Sequence, residues 1–361
     1  MKKSQWILGL VALAALLALV VWGRSRIHFD FGVFRAQIAL ANWGSIAIAI
    51  GCIYLAYAFR AARWVMLLRH NKKLPLFSLL GTQVMGFTAV ALIGRVADPV
   101  RPYLVAKKTG LPLSNQFAVY IVERLFDAGS MALIFSSVIL FTSWFGQPGD
   151  LPHPEIVKKA GYGGMALTVA GALFLVTVRM AGGMVAAFME RTFGLISKKL
   201  GHAVADKVRS FHSGLDTMRT FSDFAIVAAL SISMWLIIAA AYLETVHAFG
   251  SSPQLGSMTL AKCMLLLAFS GTASIFQLPV LGWFTQIGLV AAALASFFGV
   301  APEASTACSA TLLLVTFLAI IPVGLIWAQI EHVSLRKLTA ESEYAEVELA
   351  AKDPDTRNRS L

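Results

Sequence analysis

The sequence predicts an all-α fold, a polytopic bundle of transmembrane helices. Composition is the first reason. Of 361 residues, 58% are hydrophobic and 14% charged, whereas soluble domains sit near ~45–50% apolar and ~25% charged. Run length is the second, since several stretches reach the ~20 apolar residues a bilayer-spanning helix requires. The texture of those stretches is the third. They are solidly apolar, without the alternation over ~10 residues that marks a membrane barrel. The net charge of +11 belongs to the Lys/Arg-rich loops of such a protein. No basic nucleic-acid-binding motif accompanies it, so nucleic acid is not an expected partner. Cys52, Cys263 and Cys308 each lie in or beside an apolar run, without pairing or metal spacing, and read as packing residues.

The elements follow in order. Lys2 and Lys3 precede an apolar run from Trp6 to Trp22, longer than the 7–15 residues of a signal-peptide core and without a small-residue cleavage site. It reads as a retained first helix over about 5–23. A second helix over about 42–59 ends in RAARWVMLLRHNKK. There Arg60, Arg63, Arg69, Lys72 and Lys73 mark a cytoplasmic end, with Trp64 as interface anchor. The segment 76–94 is apolar but punctured by Gly81, Gly86, Gly94, Thr82, Gln83 and Thr88, and both its flanks are basic. A full crossing would put one basic flank outside, so a re-entrant or broken segment is expected. Such backbone is tolerated at membrane depth where protein or a water-filled cavity covers it.

A long helix follows over 115–145, then an external Pro-rich loop over 146–160 and a helix over 161–178. Over 184–219, Phe193, Ile196, Leu200, Val204, Val208, Phe211, Leu215 and Met218 recur in steps of three and four, opposite Arg191, Lys198, Lys199, Lys207, Arg209 and Arg219. That pattern predicts a cytoplasmic amphipathic helix, either lying on an anionic lipid surface or packed under the bundle. Further helices are expected over 222–249, 258–278, 282–299 and 304–330. The whole makes seven or eight spans with one or two re-entrant segments. A single membrane domain occupies 1–330, with a polar tail over 331–361 expected to be disordered and both termini cytoplasmic.

The chemistry concentrates between Gly94 and Asp127. Intramembrane charge costs roughly 2.5–3.5 kcal/mol per residue on insertion scales and marks a functional site by default. Glu123 and Asp127 are four residues apart and share a helix face. Arg95, Arg101 and Arg124, held by Asp98, Glu123 and Asp127, would suit a lipid phosphate, because a guanidinium presents a planar fork to oxyanions. The alternative is a buried ion-pair lattice tying loop to helix. A second interrupted segment, 265–288, pairs with 76–99: each has a Gly-Thr step, an apolar stretch and a Gly/Pro break. In the second, the break and its polar groups are Gln277, Pro279, Gly282, Thr285 and Gln286. Paired interruptions of this kind point to transporter binding sites, although small residues also serve simple helix packing. No zinc-protease, Walker, nucleophile-elbow or C-x-x-C motif occurs. Neither enzyme activity nor a cofactor or metal is expected.

At these residues the chain resembles the lysylphosphatidylglycerol synthase transmembrane-region family of flippase-like membrane proteins. RAARWVMLLR at 60–69 resembles the family's Arg-Trp helix end, and GRVADPVRPYLVAKKTGL at 94–111 its Gly-Arg-x-Gly-Glu-x-x-Arg-x-x-Leu signature. VERLFDAG at 122–129 is similar to its Glu-Arg-x-x-Asp motif, and LPVLGWFTQIG at 278–288 to its later Pro-x-x-x-Gly-x-x-Glu region. Two positions depart: the family's Gly-Glu is Ala97-Asp98, and its later Glu is the neutral Gln286. The larger bifunctional relatives carry a soluble aminoacyl-transfer domain, and this chain has only a short polar tail after its membrane region. The resemblance therefore implies translocation of a phospholipid or lipid-linked substrate across a bacterial inner membrane, not lipid synthesis. Two other classes stay open: a scaffold or accessory protein of a lipid or envelope assembly, and an enzyme acting on a lipid-linked substrate with Glu123 or Asp127 as base. The oligomeric state is open as well.

Overall fold

The computed structural model describes residues 29–141, 154–195, 197–215, 220–273 and 281–333. The expected first helix at 5–23 and the tail beyond 333 lie outside these residues. Every regular element among the described residues is helical. Four helices are long and apolar enough to cross a membrane, or five if one bent pair counts as a span.

Helix α1 (Phe31–Leu40) is capped by Asp30, whose carboxylate accepts from the N–H groups of Gly32 and Val33, and Asn42 caps α2 (Trp43–Leu68) in the same way. Helix α2 runs nine residues beyond the expected end at 59. The expectation ended the helix at its first arginine. Arg60 and Arg63 are instead buried inside it, because they meet carboxylates within the bundle and need not reach water.

Helix α3 (Leu76–Ile93) is continuous and stops at Gly94, whose φ of 88° and ψ of −169° suit only glycine. A short turn, Arg95–Ala97, leads into α4 (Val100–Thr109), which folds back against α3. Arg101 of α4 packs on Gly86 of α3, where a Cβ would overlap its side chain. Lys72 Nζ donates to the Thr109 carbonyl at 2.6 Å, fastening the start of this hairpin to its finish. The segment thus enters and leaves at one end of the bundle, as a re-entrant segment must. That end is basic, holding Arg69 and His70 against Asp223 and Lys108 against Glu331.

Helix α5 (Leu113–Leu140) leads away from the basic end. Helix α6 (Pro154–Gly194) returns along it, bends by 77° between Phe174 and Thr177, and departs from helical geometry at Ala181. The amphipathic segment expected as one helix over 184–219 is two. Helix α7 (Lys198–Leu215) folds back on α6, with Gly201 against the Glu190 carbonyl and Gly194. Ala205 and Val208 of α7 are buried with Val119, Val122 and Ala186, so this helix packs against the bundle.

Helix α8 (Phe221–His247) starts at the basic end with a Thr220/Asp223 capping box and packs along α2. At the opposite, distal end, Asn42 N–H donates to the Ala248 carbonyl and Asp30 N–H to Glu303. From there α9 (Leu260–Ala273) enters the bundle, and α10 (Leu281–Phe298) returns. Helix α11 (Pro302–Leu313), a π-turn at Leu314–Leu318 and α12 (Ile320–Ile330) then make one run from the distal to the basic end.

The two halves have one plan in opposite orientation. Each is a long helix, a hairpin and a second long helix: α2, α3–α4, α5, then α8, α9–α10, α11–α12. The first hairpin enters from the basic end and the second from the distal end. The start of α10 meets the end of α3, with Trp283 Nε1 donating to the Ala91 carbonyl at 3.0 Å. The depth of the first tip follows from its register on α12. Gly81 sits at Trp327, and Thr88 Oγ1 donates to the Ile320 carbonyl. Continued to Gly94, the register reaches Leu314, in the middle of 302–330. Two hairpins that enter from opposite ends in this way have the path of an inverted repeat.

Cysteine accessibility tests the hairpins. In a variant with Cys52, Cys263 and Cys308 replaced, Lys73→Cys and Lys107→Cys should react with a membrane-impermeant maleimide from one side of the membrane. Ser257→Cys and Ala301→Cys should react from the other. Labelling of the first pair from opposite sides would show that α3 crosses completely.

Candidate functional site

The charged residues of α2, α4 and α5 converge on Glu123, which is fully buried. Arg63 Nη2 donates to its Oε1 at 2.6 Å, and Arg101 Nη2 to both oxygens at 2.8 Å. Trp64 Nε1 donates to Oε2 at 2.6 Å. Arg101 is held in turn by Gln83 Oε1, at 2.7 and 3.0 Å. Arg63 also donates to Asp127 Oδ1 at 2.6 Å and to Ser231 of α8 at 2.8 Å. This inner layer ties three helices, α2, α5 and α8, to the hairpin, and it consumes the acceptor capacity of Glu123 and of one Asp127 oxygen.

Two further guanidiniums lie outside that layer. Arg124 Nη2 is 3.0 Å and Arg60 Nη1 3.5 Å from the remaining oxygen, Asp127 Oδ2. Phe87 sits between Arg60 and Arg101, whose guanidinium carbons are 4.8 and 4.5 Å from its ring centre, and Arg124 lies 5.2 Å from the ring of Tyr120. At the hairpin tip Arg95 pairs with Asp98 at 3.6 Å.

These outer groups open onto a cavity of about 200 Å³ at the meeting of the two halves. Arg60, Arg95, Asp98, Arg124 and Asp127 form its polar wall, while Ile53, Val90, Met131, Ile238 and Leu267 line its apolar part. Ser270, Tyr242 and Thr316 face it from the second half. Tyr242 OH donates to Ser270 Oγ at 2.7 Å, and Gln286 Nε2 donates to the same oxygen at 3.2 Å. The π-turn supplies Thr316 and Phe317 to the lining, and Tyr54 OH donates to the Ala319 carbonyl beside it at 2.7 Å. Such bulges recur at functional positions. Across the Arg95–Asp98 pair an open groove of about 520 Å³ runs along Val96, Phe117, Tyr120 and Ile121.

Of the six residues singled out in the first half, Arg95, Asp98, Arg124 and Asp127 line the cavity, while Arg101 and Glu123 stand behind it as the inner layer. In the second segment, Gly282 and Gln286 are buried near the cavity, Gln286 reaching it through Ser270; Gln277 and Pro279 lie outside the described residues. Arg60, Arg63 and Trp64 escaped the sequence reading, which took them for loop charges and an interface anchor. Their spacing was the available signal, since positions 60, 63 and 64 share one face of a continuing helix.

The fold and site define a polytopic helical membrane protein with two inverted hairpins around a buried, arginine-rich cavity. The chain matches the family described as lysylphosphatidylglycerol synthase TM region over residues 6–324 and belongs to it. No curated protein and no solved structure matches the chain.

The two layers should respond differently to mutation. Glu123→Gln leaves Arg63 and Arg101 without their shared charge partner and should cost about 3–5 kcal/mol of stability, the usual penalty for breaking a buried pair from one side. Arg124→Ala, whose side chain is 33% exposed, should leave thermal unfolding in detergent close to native. Equal destabilisation by both would remove the distinction between the layers.

Proposed function

We propose that this protein translocates a phospholipid or lipid-linked substrate across the inner, cytoplasmic membrane as a non-enzymatic carrier. The observation that carries this reading is the uncompensated positive charge at the cavity. Among the described residues, Arg60, Arg63, Arg101 and Arg124 form their ion pairs with Glu123 and Asp127, and the carboxylate oxygens are mostly taken by the two arginines behind. An oxyanion would complete the coordination of the two in front, and a phosphate offers the matching geometry. The apolar part of the cavity suits the first methylenes of an acyl or prenyl chain. The groove outside Arg95–Asp98 supports a lateral path from the lipid phase, with that ion pair standing between groove and cavity.

The inverted halves support alternating access around a fixed site. The basic end faces the cytoplasm on this reading, by the excess of Lys and Arg in cytoplasmic loops. Arg191 and the exposed residues Lys198 and Arg209 then lie near the anionic inner leaflet. Glu123 and Asp127, the candidate bases of an enzymatic mechanism, are both held by guanidiniums, which supports the carrier over the enzyme.

Reconstituted vesicles with a tail-labelled fluorescent phospholipid test the reading. Native protein should accelerate loss of protected fluorescence on external bleaching. Arg124→Ala and Asp98→Asn should return the rate to that of protein-free vesicles while keeping a native size-exclusion profile. Transport at the native rate by either variant would show that the cavity is misassigned. A native protein that moves no lipid, with Arg124→Ala changing abundance alone, would favour the scaffold.

A further inference from the structure

The cavity also selects among head groups, and this inference rests on the carrier reading above. Its polar wall is rich in donors that lack acceptors. Among the described residues, Arg124 Nε and Nη2 make no hydrogen bond, the contact of Nη2 with Asp127 being ionic but poorly directed, and the buried indole nitrogen Nε1 of Trp235 has no partner either. Trp235 and Arg124 both line the cavity. A buried donor left unsatisfied costs about 1–3 kcal/mol, so a ligand bringing oxygen acceptors gains at each.

The same wall is poor in places for a cation. Its two lining carboxylates, Asp98 and Asp127, already face Arg95, and Arg60 with Arg124. The opposite wall offers Ser270 and Tyr242, backed by Gln286, all neutral. Gln286 Oε1 is buried without a donor, one residue short of satisfying a hydroxyl-bearing group through Ser270. A head-group ammonium here would meet two excess guanidinium charges at close range and no unshared carboxylate.

We infer that the ligand is an anionic phosphate ester whose head group beyond the phosphate carries hydroxyls and no ammonium, with Trp235 Nε1 and Arg124 as the donors that select it. Phosphate oxygens would sit between Arg60, Arg124 and Trp235, and a hydroxyl would reach Ser270. Trp235 is a specificity residue in this scheme, separate from the lattice that holds the bundle.

Binding to the detergent-solubilised protein, read as thermal stabilisation, tests this independently of transport. The probes are dihexanoyl phosphatidylglycerol, dihexanoyl phosphatidylcholine, the O-ethyl ester of that phosphatidylcholine, which is cationic, and glycerol phosphate. Phosphatidylglycerol should bind at least tenfold more tightly than phosphatidylcholine, and the cationic ester should give no shift. Trp235→Phe keeps the ring and removes the donor, and should weaken phosphatidylglycerol binding about fivefold without changing the unliganded melting temperature. Equal binding of the cationic and anionic lipids would overturn the inference, as would an unchanged affinity in Trp235→Phe. Glycerol phosphate binding as tightly as the lipid would overturn its lipid part and assign the site to a soluble phosphate. Selective binding with no movement of lipid in vesicles would leave the head-group class standing and sink the carrier.

Discussion

The Glu123 carboxylate is the constraint on which the rest depends. A single buried anion draws in Arg63 and the Trp64 indole from α2 and Arg101 from α4. Removing two charges from water is expensive, and their mutual attraction offsets that only when the remaining donors and acceptors are also satisfied. Here Gln83, Ser231 and Asp127 supply further partners to the two inner guanidiniums. The lattice therefore does more than hold a loop to a helix. It dictates that α2 stay helical past its first arginine, that the first hairpin fold back to deliver Arg101, and that α8 bring Ser231 alongside.

Behind and in front of that lattice the same residue type has two different tasks. Arg63 and Arg101 are enclosed and bound directly to Glu123, so their contribution is positional. Arg60 and Arg124 share one carboxylate oxygen and look onto open space. The division rests on how many acceptors are available, since two carboxylates cannot serve four guanidiniums equally. Among the described residues, the second half of the molecule contributes no charge to the cavity wall and supplies hydroxyls and aromatic side chains instead. The two halves are alike in path and unlike in chemistry.

Much of this was legible in the sequence. Hydropathy announced the bundle, the basic flanks of 76–94 foretold a segment that returns to its own side, and Glu123 with Asp127 marked the centre of charge. The loose likeness between 76–99 and 265–288 foreshadowed the opposed hairpins. What escaped the reading shares one cause. Arg60 and Arg63 were taken for loop residues because charge at the end of an apolar run normally signals water, and only their partners sixty residues away show otherwise. The reversal between α6 and α7 escaped because a stripe of period 3.6 can continue from one helix into the next as readily as along a single one.

The backbone at Gly94 has a consequence for how this protein tolerates change. Its φ of 88° and ψ of −169° belong to a region closed to residues with a Cβ, and the next seven positions include Arg95, Asp98 and Arg101. Arg95 and Asp98 of the cavity wall and Arg101 of the inner lattice are thus aimed by one pivot that does not itself line the cavity. Among related sequences, drift at the cavity itself would re-tune it residue by residue. Drift at this pivot would misdirect every charged group of the hairpin together, leaving no graded path of variation through position 94.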